Sequence, residues 1–352
     1  MGDGPEISVV VGAYSRPTYL MDAVRSVRGQ TFPRDRIELV VVKNFRDAAI
    51  DRDLEAAGAR VRFDDEPALG PWLLGAIRST HAPVVTVLDD DDLFLPDRLA
   101  HVAEVFRSRP DVGFYRNRVE IIDAQGTLVP RSEWRPKGVD PYFDASGPIV
   151  IAPEGKTALV DLLFLRTRAG FNLSSMAFRR DLLDGPRGDC FAESRLPDLA
   201  LLFAAVVAPS GMYLDDRRLT RHRVHPSNTT RRVDWLAWSA GSHRRLSERA
   251  LEFGKKDLAT YLSRQADHFD RLHRAGVLAE RVAGDAGRRE VAGGLAEYLR
   301  FLGRHPEERR WTLDVYGAAG YGAAYLVLPG LARRVQRRRG TASPVTGTSV
   351  PS

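Results

Sequence analysis

The chain has 352 residues, 43% of them hydrophobic, so it is long enough for a compact domain with a sizeable core and an extension. Its single cysteine, Cys190, excludes an intramolecular disulfide and a zinc site built on cysteine pairs. The net charge of +6 is unevenly spread, because residues 226–352 carry 22 Lys and Arg against 13 Asp and Glu.

Strands and helices are predicted to alternate along the N-terminal third of the chain. The run ISVVV at residues 7–11 is apolar and β-branched, which is typical of a strand buried on both faces of a parallel sheet. Comparable runs follow at residues 37–42, 60–63 and 84–88. The order of strands and helices predicts an α/β fold in which helices cover a mainly parallel central sheet.

Helices are predicted from apolar residues at helical spacing and from the position of proline. Pro17 is placed to open the first helix, and Pro96 opens another one after the fourth strand. From residue 235 to about residue 310 the pattern is helical, which predicts a C-terminal helical extension. The earlier helices are expected around residues 20–27, 73–77, 96–106 and 199–207.

Four adjacent carboxylates, Asp89 to Asp92, follow the fourth predicted strand in the sequence VVTVLDDDD. Ligands of open α/β sheets bind at the carboxyl ends of the strands, where these side chains are expected. One interpretation is an acidic helix start, with Asp91 or Asp92 capping the helix that follows. Four carboxylates exceed what a cap needs, so we interpret them as a site for Mg²⁺ or Mn²⁺ shared with phosphates of a ligand.

Six segments in order carry a resemblance to a known family. They are ISVVVGAYSRPTYLMDAVRSVRGQTF, ELVVVKN, VVTVLDDDDLFLPDRL, SSMAFRRDLL, ESRLPDLALLFAA and LTRHRVHPSNTT. Together they resemble glycosyltransferase family 2, the inverting nucleotide-sugar enzymes of GT-A fold, from residue 6 to about residue 230. The resemblance implies a nucleotide-sugar-binding half at residues 1–115 and an acceptor-binding half at residues 116–230.

The resemblance also implies roles for the aspartates. Asp89, Asp90 and Asp91 match the Asp-x-Asp element of the family. Asp89 or Asp90 is then expected to contact the donor ribose, and Asp91 to bind the Mn²⁺ or Mg²⁺ that holds the diphosphate. Asp89 is a second candidate ligand of the metal, and His225 matches a late family position that approaches the metal or the pyrophosphate.

Donor contacts are implied after the first and second strands. Tyr14 matches a position that borders the nucleotide base, although it is also consistent with a tyrosine at the edge of the core, and Gly12 and Ala13 precede it. The family usually has an Asp at the end of the second strand that recognises uracil, and this chain has Lys43 and Asn44 instead. UDP is therefore the default donor nucleotide, dTDP and GDP stay open, and Lys43 is a candidate for contacting a phosphate.

Inverting transfer requires a general base for the acceptor hydroxyl. Asp198 in LPDLALLF matches the catalytic Asp of the family, and Glu193 is the second candidate; as a residue near a helix start, Asp198 has a structural interpretation too. Arg221 and Arg223, beside His225, are candidates for neutralising the leaving diphosphate.

Acceptor contacts are implied for a strand in the second half of the resemblance. Asn172, Ser174 and Ser175 match the strand that borders the acceptor, and Trp134 matches more loosely. An aromatic platform under a sugar is one role for Trp134, and a buried core tryptophan is the other.

The C-terminal part is predicted to divide into a helical extension at residues 231–334 and a basic, disordered tail at residues 335–352. Residues 315–332 carry no charge, and five arginines follow within seven positions. This segment is predicted to be a buried helix or a peripheral membrane contact, and the extension is a candidate for homodimer formation. No nucleic-acid partner is predicted. Without a basic and apolar leader before the first strand, we expect a cytoplasmic protein, with the inner face of the membrane as a peripheral site.

These observations predict a metal-dependent inverting glycosyltransferase that acts on a hydroxyl of a glycan, a lipid-linked molecule or a small molecule. A sugar nucleotidyltransferase is an alternative, but it would need a glycine-rich phosphate loop with Arg or Lys after the first strand, and GAYSRPTYL matches this poorly. The other alternative is a non-catalytic nucleotide-sugar-binding or scaffold protein.

Overall fold

The computed structural model describes residues 4–15, 17–130, 133, 147–160, 162–166, 169–225, 228, 233–283 and 288–304. Two compact units contain them: the first comprises the described residues of Met1–Pro130, Pro141–His225 and Glu248–Leu258, and the second comprises those of Arg131–Asp140, Pro226–Ser247 and Ala259–Ser352. Trp134 and the segment at residues 315–339, for which the sequence analysis made predictions, lie outside the described residues.

The N-terminal half of the sheet is parallel, with the order β3-β2-β1-β4. All residues of the first strand except Gly12 are buried; Leu20, Ala23, Val24 and Val27 of α1, the helix that follows this strand, are fully buried as well. All four predicted strands and both predicted helices of this half are confirmed. The elements are β1 (Ile7–Ala13), α1 (Leu20–Arg28), β2 (Ile37–Lys43), α2 (Ala48–Ala56), β3 (Arg60–Phe63), α3 (Leu69–Arg78) and β4 (Val84–Asp89).

Three details differ from the sequence predictions. Helix α2 was not predicted, because Leu54 is its one fully buried side chain and no apolar stripe marks it; Asp47 caps it by accepting from two backbone N–H groups. Helix α1 begins three residues after Pro17. The helix after the aspartates begins at Arg98, two residues beyond Pro96, so the two prolines precede their helices instead of opening them.

The C-terminal half of the sheet is mixed and continues in the order β4-β8-β6-β9-β5, with β7 also paired to β9. Strand β8 is antiparallel to β4 and β6, β6 and β9 are parallel, and β5 and β7 are antiparallel to β9. The elements are β5 (Leu93–Phe94), α4 (Arg98–Ser108), β6 (Val112–Ile122), β7 (Ile149–Ile151), β8 (Met176–Arg179), α5 (Pro186–Glu193), α6 (Pro197–Val207) and β9 (Gly211–Arg223).

This mixed pairing brings distant segments to the end of β4. Because β8 is antiparallel to β4, the residues that precede Met176 lie beside the last residues of β4. Strand β5 directly follows the aspartates and pairs with Arg221 near the end of β9, which brings the residues after Arg221 to the same place. Three separate segments therefore converge where β4 ends.

A buried lysine holds the C-terminal end of α6, the apolar helix that was predicted at residues 199–207. The Lys156 ammonium group donates to the carbonyl oxygens of Ala205, Ala208 and Ser210 at 2.7, 2.6 and 2.6 Å. The last carbonyls of a helix have no partner within it and carry the negative end of the helix dipole, so a cation stabilises them.

We expect Lys156→Met to lower the free energy of unfolding by about 2–4 kcal/mol, since it leaves three buried carbonyl groups without their charged donor. Urea denaturation followed by circular dichroism measures the change. Lys256→Met, at an exposed lysine, is the matched control with a small expected effect. Equal stability of the two variants would contradict the capping role.

The predicted helical extension is confirmed as α7 (Val233–Glu252), α8 (Lys256–Ala283) and α9 (Arg288–Arg304). Leu278, Val282, Val291 and Tyr298 belong to the apolar core between α8 and α9 in the second unit. In the part of the chain that is described, no helix combines the length and the apolar character needed to cross a membrane.

Candidate active site

Strand ends β1 and β4 lie side by side at the centre of the site. Gly12 is paired with Asp89 across the two strands, and the Asp90 N–H donates to the Gly12 carbonyl oxygen at 3.2 Å. A Cβ atom at Gly12 would lie 3.3 Å from the Trp72 ring, so the close packing here favours glycine. The start of the aspartate loop, residues 89–92, is thereby fixed to β1.

Asp92 anchors the other end of the aspartate loop. Its Oδ1 accepts from the Arg223 N–H at 2.9 Å and contacts His222 Nδ1 at 3.1 Å, while its Oδ2 accepts from Asn172 Nδ2 at 2.6 Å. Burial alone would raise the pKa of Asp92, but the facing His222 and these hydrogen bonds hold it below its usual value. Asp92 therefore ties the loop to β9 and to the segment before β8.

These contacts exclude the helix-cap interpretation of Asp91 and Asp92. Helix α4 begins at Arg98, and the residue before it is Asp97. The carboxylate of Asp92 accepts hydrogen bonds from Arg223 of β9 and from Asn172, and not from the N–H groups at the start of α4.

Asp91 and His225 form a buried pair on the same loop. His225 Nε2 lies 3.0 Å from Asp91 Oδ2, and the Arg223 Nε group donates to the Asp91 backbone carbonyl at 2.9 Å. Asp91 and His225 are 6% and 5% exposed. The sequence placed Asp91 and His225 in one site although 134 positions separate them, and the structure brings them together.

The carboxyl group of Asp89 lies in a strongly negative environment. Burial and then the charges of Asp92, Asp91 and Asp90, with a smaller contribution from Asp198, raise its pKa well above the usual value for Asp. Its backbone N–H donates to the Ser174 hydroxyl at 3.0 Å. Such a concentration of negative charge favours binding of a cation.

The predicted metal site fits in part. Among the described residues, no group of three or more His, Cys, Asp or Glu is arranged to hold a metal ion, and the assignment of Asp89, Asp91 and His225 as metal ligands stays a prediction. Asp89 ends a strand and its charge interacts with Asp198, whereas Asp91 and His225 pair with each other. Two protein ligands are compatible with Mg²⁺ or Mn²⁺ when phosphate oxygens and water complete the coordination.

Asp198 is the second residue of α6 and carries a perturbed pKa. Burial raises the pKa of its carboxyl group to about 6, although the N–H groups of Leu199, at 2.8 Å, and of Asn172 favour the charged form. Glu193 instead forms an ion pair in which Arg249 Nε lies 3.2 Å from Glu193 Oε2. Asp198 therefore has a perturbed carboxyl group, whereas the Glu193 carboxylate is engaged by an arginine.

The predicted base-contacting residues have distinct environments. Tyr14 is 38% exposed, its hydroxyl donates to the Pro67 carbonyl at 3.2 Å, and its ring lies edge-on to Trp72 at 5.5 Å. Asn44 Oδ1 accepts from the Ser15 N–H at 2.6 Å and so holds the loop after β1. The exposed Tyr14 ring is therefore available to a ligand, while the Asn44 amide oxygen is used within the fold.

Lys43 is buried inside the fold. Its ammonium group lies 2.8 Å from Asp51 Oδ1 and donates to the Phe45 carbonyl at 2.5 Å, and the residue is 1% exposed. A contact from Lys43 to a phosphate would require breaking this ion pair. The hypothesis that Lys43 reaches a phosphate is therefore not supported.

The two arginines of β9 are also engaged within the protein. Arg223 is 3% exposed and holds the aspartate loop through Asp91 and Asp92. Arg221 is half-buried, with its Nε 3.2 Å from Glu120 Oε2. Arg223 is therefore used within the fold, and the role of Arg221 in neutralising a leaving diphosphate stays a prediction.

Ser174 and Ser175 lie beneath the aspartates and are fully buried. The Ser174 hydroxyl accepts from Asp89 and the Ser175 hydroxyl donates to the Asn172 carbonyl at 2.7 Å, so these side chains support the loop and are not placed to touch an acceptor. The sequence analysis missed His222, which faces Asp92. Its position between Arg221 and Arg223 is the only indication in the sequence. Because alternate residues of a strand face opposite sides, that position places the His222 side chain on the face opposite the two arginines.

Solved structures share this fold. Residues 1–349 of S. aureus TarS, in complex with UDP-GlcNAc, align with a TM-score of 0.56 and 15% identity over 97% of this chain and 89% of theirs. The mannosyltransferase PcManGT from Pyrobaculum calidifontis, in complex with GDP-Man and Mn²⁺, aligns with a TM-score of 0.51 and 16% identity over 92% and 87%. The predicted fold class, GT-A with a C-terminal helical extension, is confirmed.

Sequence comparison places the N-terminal half of the chain in a family. The family model described as Glycosyl transferase family 2 matches residues 8–180. An uncharacterized glycosyltransferase of Nostoc sp. is 30% identical over 131 residues, which span 35% of this chain and 39% of that relative. Residues 8–180 thus match glycosyltransferase family 2, the family that the resemblance predicted.

Proposed function

We propose that the chain is a metal-dependent inverting glycosyltransferase that moves a sugar from a nucleoside diphosphate to an acceptor hydroxyl. The observation that carries this proposal is that one site combines Asp198, a carboxyl group of raised pKa, with the negatively charged aspartate loop. In this loop Asp91 contacts His225. Pairs of titratable groups with opposed environments are typical of acid–base sites.

Asp198 is the general base in this proposal. It takes the proton of the acceptor hydroxyl while that oxygen attacks the anomeric carbon, and the diphosphate leaves from the opposite face. A pKa of about 6 leaves the carboxylate ionised at neutral pH and makes it a stronger base than an exposed Asp. The Leu199 N–H donates to Oδ1 of this carboxylate at 2.8 Å, and we propose that Oδ2 takes the proton of the hydroxyl.

Asp91 and His225 would hold the metal, Mn²⁺ or Mg²⁺. A bound divalent ion would neutralise the charge that develops on the diphosphate leaving group. The PcManGT structure contains Mn²⁺, which supports metal use here. Asp89 and Asp90 remain the proposed contacts to the donor ribose.

A nucleotide sugar is the proposed donor, since TarS and PcManGT are recorded with UDP-GlcNAc and GDP-Man. We propose that Tyr14 borders the base, with Gly12 and Ala13 at the adjoining strand end. At the end of β2, Lys43 is paired with Asp51 and the Asn44 amide oxygen with Ser15, so neither replaces the missing Asp of the family. UDP, dTDP and GDP therefore all stay open.

The division into a donor half at residues 1–115 and an acceptor half at residues 116–230 is part of the proposal. The boundary falls inside β6, and both halves contribute strands to one sheet. Asn172, whose N–H favours the charged form of Asp198, stays the proposed residue on the acceptor side. Trp134, membrane contact through residues 315–339, dimer formation and cytoplasmic location stay predictions.

A donor screen tests the proposed function. UDP-, dTDP- and GDP-sugars are titrated into the full chain with and without Mn²⁺ by calorimetry, and release of nucleoside diphosphate is followed with candidate acceptors. We expect one nucleotide class to bind in a Mn²⁺-dependent way. Absence of binding by every nucleoside diphosphate would favour the scaffold alternative, and release of pyrophosphate from a nucleoside triphosphate and a sugar phosphate would favour the nucleotidyltransferase.

A further inference from the structure

Asn172 has an unusual backbone conformation next to the aspartate loop. It precedes the 3₁₀ turn Leu173–Ser175 that leads into β8, and its φ and ψ are 63° and 100°. Among the described residues other than glycine, Ser15 and Asn172 alone have a positive φ. A left-handed backbone is strained for a residue with a Cβ atom and persists where surrounding contacts impose it.

The contacts of Asn172 reach both parts of the site. Its Nδ2 group donates to Asp92 Oδ2 at 2.6 Å, a short bond to a charged and fully buried acceptor, and lies 3.0 Å from His222 Nδ1. Its backbone N–H stabilises the charged form of the Asp198 carboxyl group. One residue therefore contacts the anchor of the aspartate loop through its side chain and the proposed base through its main chain.

Asn172 also carries a second energetic cost. The residue is 7% exposed, and its Oδ1 atom has no hydrogen-bond partner among the described residues. Glycine would adopt this φ without strain and would leave no buried amide oxygen unpaired. Stability alone does not explain an asparagine here, whereas the bond to Asp92 does.

We propose that Asn172 is a positioning residue that couples the aspartate loop to the base Asp198. The bond from its side chain to Asp92 imposes the left-handed backbone, and this backbone directs the Asn172 N–H at Asp198. The inference rests on the proposed function for the role of Asp198. It goes beyond the acceptor contact implied by the family resemblance, because Asn172 acts through two other residues.

Loss of the bond to Asp92 lets residue 172 relax towards negative φ and withdraws its N–H from Asp198. We expect Asn172→Ala to lower kcat by about 10–100-fold, since small misplacements of a catalytic group have effects of this size. Binding of the nucleoside diphosphate with Mn²⁺ should change by less than about 3-fold, because Asp91 and His225 are intact. The acid limb of the pH–kcat profile should move to higher pH, since Asp198 loses a donor that favours its charged form.

A swap variant separates positioning from a general structural role. In Asn172→Asp the new carboxylate faces both Asp92 and His222. It cannot donate to Asp92 and repels it, so kcat should fall further even though His222 offsets part of the repulsion. In the double variant Asn172→Asp with Asp92→Asn, donor and acceptor exchange places, and part of the activity should return. Asn172→Gly, which tolerates the backbone but lacks the amide, should lie between the wild-type chain and Asn172→Ala.

Two outcomes would overturn the proposal. One is a folded Asn172→Ala variant, checked by circular dichroism, with wild-type kcat and an unchanged acid limb. The other is a folded swap variant no more active than Asn172→Asp. If the wild-type chain transfers no sugar, the proposed function has failed. Titration of the Asp198 carboxyl group by ¹³C NMR then still tests the coupling, and an equal pKa in the wild-type chain and in Asn172→Ala would contradict it.

Discussion

Asp198→Asn should lower kcat by about 10²–10⁴-fold, the range that general-base catalysis typically contributes. Asn has the same shape as Asp and still accepts the Leu199 N–H, so the start of α6 is retained, but its amide cannot take a proton. Binding of the donor nucleotide should be nearly unchanged, because Asp91 and His225 are untouched. Single-turnover transfer, with calorimetry of the nucleoside diphosphate, measures the two effects separately.

Glu193→Gln is the matched control for this prediction. It makes the same chemical change at the other candidate base, whose carboxylate is held by Arg249. We expect transfer activity close to that of the wild-type chain. If Glu193→Gln abolishes transfer and Asp198→Asn does not, the general base is Glu193 and the chemistry assigned to Asp198 is wrong.

The raised pKa of Asp198 sets the direction of the pH dependence. The base must be ionised, so kcat/KM should fall about tenfold per pH unit as the pH drops below about 6. The effect of Asp198 on stability runs in the opposite direction to its effect on activity. Its pKa is higher in the folded chain than in the unfolded chain, so ionisation of Asp198 destabilises the fold. This destabilisation grows as the pH rises from the unfolded pKa to the folded pKa. At neutral pH we therefore expect Asp198→Asn to have a Tm at least equal to that of the wild-type chain.

Much of the first half of the fold was predictable because its signals are local. Strands β1 and β4 are buried on both faces, so their sequences are continuous apolar runs, and α1 shows its buried stripe directly. The position of the aspartates at the end of β4 was also predictable, since they follow such a strand. Helix α2 lacked an apolar stripe and was missed.

The second half depended on pairing between distant segments, which local patterns do not contain. Strand β8 has four residues and runs antiparallel between β4 and β6. Nothing in its sequence indicates that it places Asn172 beside Asp92. The partners of Lys43 and Arg223 were unpredictable for the same reason. Asp51 contacts Lys43, and the aspartate loop contacts Arg223, only in the folded chain.

Asp91→Asn should weaken Mn²⁺-dependent binding of the donor nucleotide by about 100-fold, the upper range for losing an interaction that tunes a metal site. The reason is electrostatic. Asp91 is 6% exposed and lies beside His225, so its negative charge is the closest one available to a cation there. Isothermal titration of Mn²⁺ with the nucleoside diphosphate identified in the donor screen measures the loss.

The same titration without metal is the internal control for Asp91→Asn. Metal-free binding of the nucleotide should stay equal or become tighter, because the variant removes one negative charge from a site that already repels a diphosphate. Asp184→Asn, at an exposed aspartate, makes the same charge change away from the loop and should leave both titrations unchanged. If Asp91→Asn and Asp184→Asn bind Mn²⁺ and nucleotide equally well, the cation that balances the aspartate loop is held by other residues.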